Sequence, residues 1–306
     1  MLEIGGEKFR ALEPAAWDAE VRLEAMERMR ISRQVVSPMP ELLSYRLSID
    51  DALALGGFVN DEMEALCERA RGRLLGLGTV PLQDPARAAA ELERLMQRAF
   101  FCGVEIGTHV CGTPVGDARF NEFFATAEQL GAAVFVHALH PIGDERLIGP
   151  AVLRATVGYP CELALSISSL ITGGMLTRHP RLRVCFSHGG GAFGLVLPRL
   201  QHVWSAHSGL HESITEAPRT QAARLYYDDL VYDAETLKHL IRTFGERQLA
   251  IGTDYPFLIH DANPVGSLEA LGLDARQAQL LLHQNAERFL GPLSQREMVD
   301  ERVPVH

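Results

Sequence analysis

The sequence predicts an α/β protein built on a parallel sheet covered by helices, because short apolar runs alternate with longer amphipathic ones along its whole length. A second observation locates the chemistry: three of the apolar runs lead straight into an ionisable residue, at His137, His188 and Asp254. A parallel sheet of this kind is either closed, as an eight-stranded (β/α)8 barrel, or open and doubly wound. In a barrel the C-terminal strand ends converge on one face, so these three residues would meet there.

The elements follow in order. Trp17–Met29 carries apolar residues at helical spacing with Asp18 and Glu20 early, and leads to a strand at Gln34–Ser37. Leu74–Val80 is the second strand; Asp84 then caps, and Pro85 opens, a helix over Pro85–Phe100. Gly103–Gly107 is followed by a helix over Asp117–Leu130 that ends at Gly131, a residue suited to a left-handed helix cap. Ala132–Val136, Arg183–Ser187, Leu225–Asp228 and Leu249–Thr253 complete the strands. Asp233 caps a helix over Ala234–Phe244 closed by Gly245, and a last helix, Asp274–Leu290, stops at Gly291-Pro292. Lys8–Leu12 is too short and too charged for a buried strand, which leaves seven strands where a closed barrel needs eight. No repeat, low-complexity stretch or linker divides the chain, so residues 1–306 read as one domain. Ala138–Pro160 is a long connection on the active face, where such loops shape a substrate pocket.

Composition narrows the function classes. The formal net charge of −10 argues against non-specific nucleic-acid binding, which needs a basic surface. No apolar run reaches membrane-spanning length, and the stretch from Met1 to Gly6 has neither the basic nor the apolar part of a signal peptide. Five cysteines (Cys67, Cys102, Cys111, Cys161, Cys185) form no C-x-x-C pair and read as free thiols in a reducing cytosol. A soluble cytoplasmic protein is expected.

Two histidines and a carboxylate make a suitable set for a divalent metal and a general base. Each also has a structural reading, as a hydrogen-bonded strand end or a turn residue. Gly189-Gly190-Gly191-Ala192-Phe193-Gly194 fits G-x-G-x-x-G, which makes dinucleotide binding the rival. That rival is weakened because the tract follows the fifth strand and no acidic residue closes a strand about twenty residues on. The glycines are expected instead to let the backbone approach His188 closely. His140, His202, His207 and His211 read as surface residues, and Arg178, Arg181 and Arg183 as a solvated helix end.

Longer segments carry a resemblance. They are Trp17-Asp18-Ala19-Glu20-Val21-Arg22, Gly76-Leu77-Gly78-Thr79-Val80-Pro81, Gly103-Val104-Glu105-Ile106-Gly107-Thr108-His109-Val110 and Phe135-Val136-His137. Further on come Val184-Cys185-Phe186-Ser187-His188-Gly189-Gly190-Gly191, Gly252-Thr253-Asp254-Tyr255-Pro256-Phe257 and Asn285-Ala286-Glu287-Arg288-Phe289-Leu290-Gly291. Over nearly its whole length the chain resembles the 2-amino-3-carboxymuconate-6-semialdehyde decarboxylase family of the amidohydrolase superfamily. The resemblance implies a (β/α)8 TIM barrel of the metal-dependent hydrolase type. It implies zinc held by His137 and Asp254, with His188 and Asp254 as the catalytic pair and His188 as the base that activates water. Arg10 would bind a substrate carboxylate and Phe257 would line the same pocket. The implied activity is loss of CO₂ from a small unsaturated carboxylic acid, such as 2-amino-3-carboxymuconate 6-semialdehyde of tryptophan and kynurenine catabolism. No redox cofactor is implied, and a homodimer is.

Four departures qualify the resemblance. The family opens with a strand ending in His-x-His, two further zinc ligands, whereas this sequence begins almost at Phe9-Arg10. The expected barrel therefore lacks its first strand and its zinc site is incomplete. Leu139 and Ala155 stand where tryptophans are expected, and His207 stands where a carboxylate-binding arginine from the partner subunit is expected. Two rivals stay open: an amidohydrolase-type hydrolase of an ester, lactone or amide, and a catalytically silent relative.

Overall fold

The computed structural model describes residues 2–4, 7–150 and 152–291. Met1, Gly5, Gly6 and Pro292, on which the readings of the N-terminus and of the last helix stop partly rest, lie outside the described residues.

Seven strands form one parallel sheet: β1 (Gln34–Val36), β2 (Leu74–Gly78), β3 (Phe101–Gly107), β4 (Ala133–His137), β5 (Arg183–Phe186), β6 (Tyr226–Asp228) and β7 (Leu249–Ala250). Their spatial order is their chain order, each bonded to the next in parallel. That order requires a crossover connection between every pair, and helices supply most of the crossovers. β1 and β7 are the edges, and among the described residues no hydrogen bond joins them. Both nonetheless face one cavity of about 2860 Å³, since Val35 and Ala250 line it together. The sheet is thus curled around that cavity as an incomplete (β/α)8 barrel.

Strand alternation builds two cores. Val104, Ile106, Val134, Val136, Val184 and Phe186 face outward and pack under the helices in the larger one. Leu75, Leu77, Cys102, Ala133 and Cys185 face inward and close the barrel floor with Phe289 and Leu290. A bulge in β3, where pairing with β2 shifts between Gly76 and Leu77, puts Cys102 and Glu105 both inside although they are three residues apart.

The helices form where their caps require. Asp18 accepts from the Glu20 and Val21 amides at the start of α1 (Ala19–Arg28), and Ser48 from the Asp51 amide at the start of the 21-residue α2 (Ile49–Arg69). Asp84 caps α3 (Pro85–Leu95), and Gly131, at φ 60°, ends α4 (Asn121–Leu130). α5 (Tyr159–Thr172), α6 (Phe193–Ala206) and α7 (Ala234–Phe244) complete the main layer.

Several boundaries differ from expectation. β7 ends at Ala250 because an edge strand has one partner to bond, and Thr253 lies beyond the last pair. The helix expected to Phe100 ends at Leu95, and Asp117 caps a short 3₁₀ turn ahead of α4. The last helix is broken by a π turn over Leu280–Gln284 between Ala275–Gln279 and Asn285–Leu290. Glu7–Arg10 pairs antiparallel with Leu2–Ile4 and takes no part in the seven-stranded sheet. Arg183 corrects the solvated-end reading: its guanidinium reaches inward to the Gly131 and Leu290 carbonyls. His202 lies on the C-terminal half of α6 and is exposed, as its reading as a surface residue expects. Among the described residues no helix is long and apolar enough to cross a membrane.

Candidate active site

His137 is the last residue of β4, set opposite Gly107 of β3. Its Nδ1 lies 2.9 Å from the Ala138 carbonyl, which only accepts, so Nδ1 carries the proton. Nε2 is left with its lone pair and faces His188 Nε2 at 3.2 Å. Burial first, and then the neighbouring His188, hold the imidazole down to a pKa of about 3, against the opposing pull of the Ala138 carbonyl. His137 is therefore neutral at physiological pH, the form in which imidazole ligates a metal.

His188 and Asp254 follow β5 and β7 in the left-handed region, at φ 51° and 55°. Such backbone costs about 1–3 kcal/mol per residue and persists only where its surroundings enforce it. For His188 the enforcement is visible. Asp228, closing β6, accepts from the Gly189 amide at 3.0 Å and the Leu230 amide at 3.1 Å. Gly191, at φ 58°, lies so close to α5 that a Cβ there would come within 2.3 Å of the Pro160 carbonyl oxygen. The glycine tract thus serves close approach to the start of α5 at Gly191, to Leu240 and Val231 at Gly189, and to Tyr227 and Ile167 at Gly190. Gly191→Ala is expected to destabilise the fold by about 2–4 kcal/mol, read as a lowered urea midpoint; an unmoved midpoint would remove this packing argument.

The Asp254 carboxyl is raised by burial, with His188 pulling it back and Asp228 adding to the rise. One donor atom each from His137, His188 and Asp254 lies within 4.8 Å of the others. Two imidazole nitrogens and a carboxylate oxygen suit a divalent cation such as zinc or manganese.

Arg10 and Phe257 are also brought together, the guanidinium carbon 4.9 Å from the ring centroid. Arg10 lies 3.7 Å from Glu41, which enters from the short turn Pro40–Leu43 after β1. Of the departures, Ala155 lines the cavity, whereas Leu139 is buried away from it and His207 is exposed at the end of α6. Glu105, Tyr159, Asp228 and Glu41 are among the lining residues that were not anticipated. Glu105 is 1% exposed and its Oε1 has no hydrogen-bond partner. Tyr159 sets its ring edge-on to His137, centroids 5.7 Å apart. Its hydroxyl is pushed up chiefly by burial, then by Glu41, while Arg10 opposes. Asp228 is the strand-end acid already described, and Glu41 completes the group. The pair Asp228-Asp229 closing a strand was the available signal for the third.

The family model described as Amidohydrolase matches residues 10–291. The chain is 34% identical over 291 residues to the 2-amino-3-carboxymuconate-6-semialdehyde decarboxylase of Dictyostelium discoideum, covering 94% of this chain and 80% of that protein. It is 30% identical to the Caenorhabditis elegans protein of the same name, covering 93% and 84%. A solved structure of 5-carboxyvanillate decarboxylase from Novosphingobium aromaticivorans, complexed with manganese and 4-hydroxy-3-methoxy-5-nitrobenzoic acid, shares the fold with a TM-score of 0.78. It is 23% identical and the match covers 88% of this chain and 79% of that one. The chain belongs to the amidohydrolase family. Within it, the chain is of the 2-amino-3-carboxymuconate-6-semialdehyde decarboxylase-like kind.

Proposed function

We propose that this protein is a divalent-metal-dependent carboxy-lyase that removes CO₂ from a small unsaturated or aromatic carboxylic acid. Zinc is the proposed ion, and 2-amino-3-carboxymuconate 6-semialdehyde the first substrate to test. The observation that carries the reading is the convergence of His137, His188 and Asp254 beside Arg10 in one cavity. The decarboxylase names of the relatives and the manganese of the structural neighbour support it.

When bound, a divalent cation supplies Lewis acidity and acidifies nearby water. The chain's own groups do the rest. Arg10 anchors the carboxylate by charge-assisted hydrogen bonds while Phe257 packs against its guanidinium. His188 moves the proton at Nε2, facing the neutral His137. Loss of CO₂ leaves the electron pair of the broken C–C bond on the substrate carbon, and a proton must be delivered there. The homodimer belongs to the same reading.

The test is CO₂ release from the candidate acids by protein incubated with zinc or manganese, with a lactone and an amide as controls. CO₂ release that falls at least about tenfold on Arg10→Ala is expected. Hydrolysis of a control without CO₂ release from any acid would overturn the decarboxylase reading.

A further inference from the structure

The apolar lining of the cavity continues past the groups that would hold the polar end of an acid. Tyr159, edge-on to His137, opens α5, and the π turn Arg154–Gly158 leads into it. The winding already includes Val152, whose carbonyl accepts from the Ala155 and Thr156 amides at 3.1 and 3.3 Å. Val152, Ala155 and Tyr159 therefore follow one another at turn spacing, and all three line the cavity. Tyr159 and Ala155 are half-buried and Val152 is 60% exposed, so the stripe runs from beside His137 out to solvent. The loops after β6 and β7 add Tyr232, 64% exposed, and Leu258, 99% exposed, to the same cavity. Leu258 is held in place: the Phe257 amide donates to the Asp254 carbonyl at 2.8 Å, and the Asp261 amide to the Thr253 carbonyl at 3.0 Å. Phe257 is the ring beside Arg10, so Leu258 begins where the carboxylate anchor stops. Exposed apolar groups gathered in one place mark a surface that binds something. Because this one continues the cavity of Arg10, His137, His188 and Asp254, its occupant is a ligand whose polar end is already held inside.

We propose that this wall binds an apolar arm of the substrate: Val152, Ala155, Tyr232 and Leu258 take an alkyl group carried on the side of the acid away from its carboxylate, while Arg10 takes the carboxylate. The methyl group of Ala155, where a tryptophan is expected, leaves the arm its space. An acid without the arm reaches the same anchors, so the arm adds affinity and is no condition for binding. The inference rests on the reading of the cavity as a carboxylate site, and it is readable without turnover.

The experiment is calorimetric titration of the whole chain with benzoate and its 4-methyl, 4-ethyl, 4-propyl and 4-butyl derivatives. It is repeated for Ala155→Trp, for the double variant Val152→Ser with Leu258→Ser, and for Arg10→Ala, with thermal melts and gel filtration of each. In the wild type every methylene added to the arm is expected to tighten binding about threefold, the effect of removing a methylene from water. The gain per methylene is read within each variant, so any change in the affinity for benzoate itself drops out. Ala155→Trp fills the space and should abolish the gain; the double variant, with two polar side chains in the wall, should at least halve its logarithm and carries the test if Ala155→Trp does not fold. An undiminished gain in the folded variants, with binding lost in Arg10→Ala, overturns the arm site and leaves the carboxylate site standing. A double variant that changes oligomeric state while keeping the gain assigns the wall to a second copy of the chain and also overturns the proposal. If the wild type binds no member of the series, or Arg10→Ala binds them all as tightly, the carboxylate site fails and the proposal with it.

Discussion

Replacing His188 with alanine is expected to lower CO₂ release at least about a hundredfold while the protein keeps its metal. The geometry gives two roles to separate. His188 Nε2 faces His137 Nε2 at 3.2 Å, and the rings meet edge to face with centroids 5.0 Å apart. Since His137 Nε2 carries no proton, His188 either presents an N–H to it or shares a cation with it. A proton carrier lost at this position costs about 10²–10⁴ in rate and leaves the metal in place. A ligand lost here takes the metal with it. His137→Ala is the internal reference, expected to lose both metal and turnover. Metal per chain by elemental analysis after gel filtration, with the rate on the same sample, reads the two together. Loss of metal from His188→Ala equal to that from His137→Ala would make His188 a ligand and end its assignment as base.

The fold was legible where local chemistry decides it. Asp84 accepts from the Arg87 amide and Asp233 from the Thr236 amide, bonds made within one turn of the chain and so written in the sequence. Strand ends were less legible, since pairing sets them: β7 has a neighbour on one side only and stops after two residues. The π turn at Leu280–Gln284 breaks a run whose apolar spacing reads as continuous helix. α2 escaped notice because Gly56 and Gly57 interrupt its pattern, although neither is forced by space: a Cβ at Gly56 would meet Thr79 at 3.4 Å and one at Gly57 nothing within 4 Å.

The candidate site divides in the same way. His137, His188 and Asp254 stood out because each terminates an apolar run. Glu105 did not, because a lone acid inside a strand ordinarily points to water. Only the curling of the sheet turns that second face into an interior. Glu41 and Tyr159 gave no signal in the sequence, since neither ends a strand. Their position follows from a turn after β1 and from the start of α5, which meet only across the cavity.

Glu105→Gln is expected to stabilise the metal-free protein increasingly as pH rises from 5 to 8. Burial pushes the Glu105 carboxyl up to about 8 from 4.5, its Ser37 hydrogen bond opposes this, and Asp254 and Glu41 add to the rise. The unfolded chain gives up this proton near its ordinary value, whereas the folded chain keeps it until about 8. Between those values the folded state binds the extra proton, so stability falls as pH rises through the window. Glutamine keeps the shape and a partner for Ser37 but has no proton to lose. Asp229, also raised to about 8 chiefly by burial, weakens wild type and variant alike and drops out of the difference. The gap in unfolding free energy should therefore widen by about 3 kcal/mol across the window, measured by urea titration in chelator at pH 5, 6.5 and 8. A gap that stays constant would mean that Glu105 titrates at its ordinary value, and that its orphaned Oε1 finds water in solution.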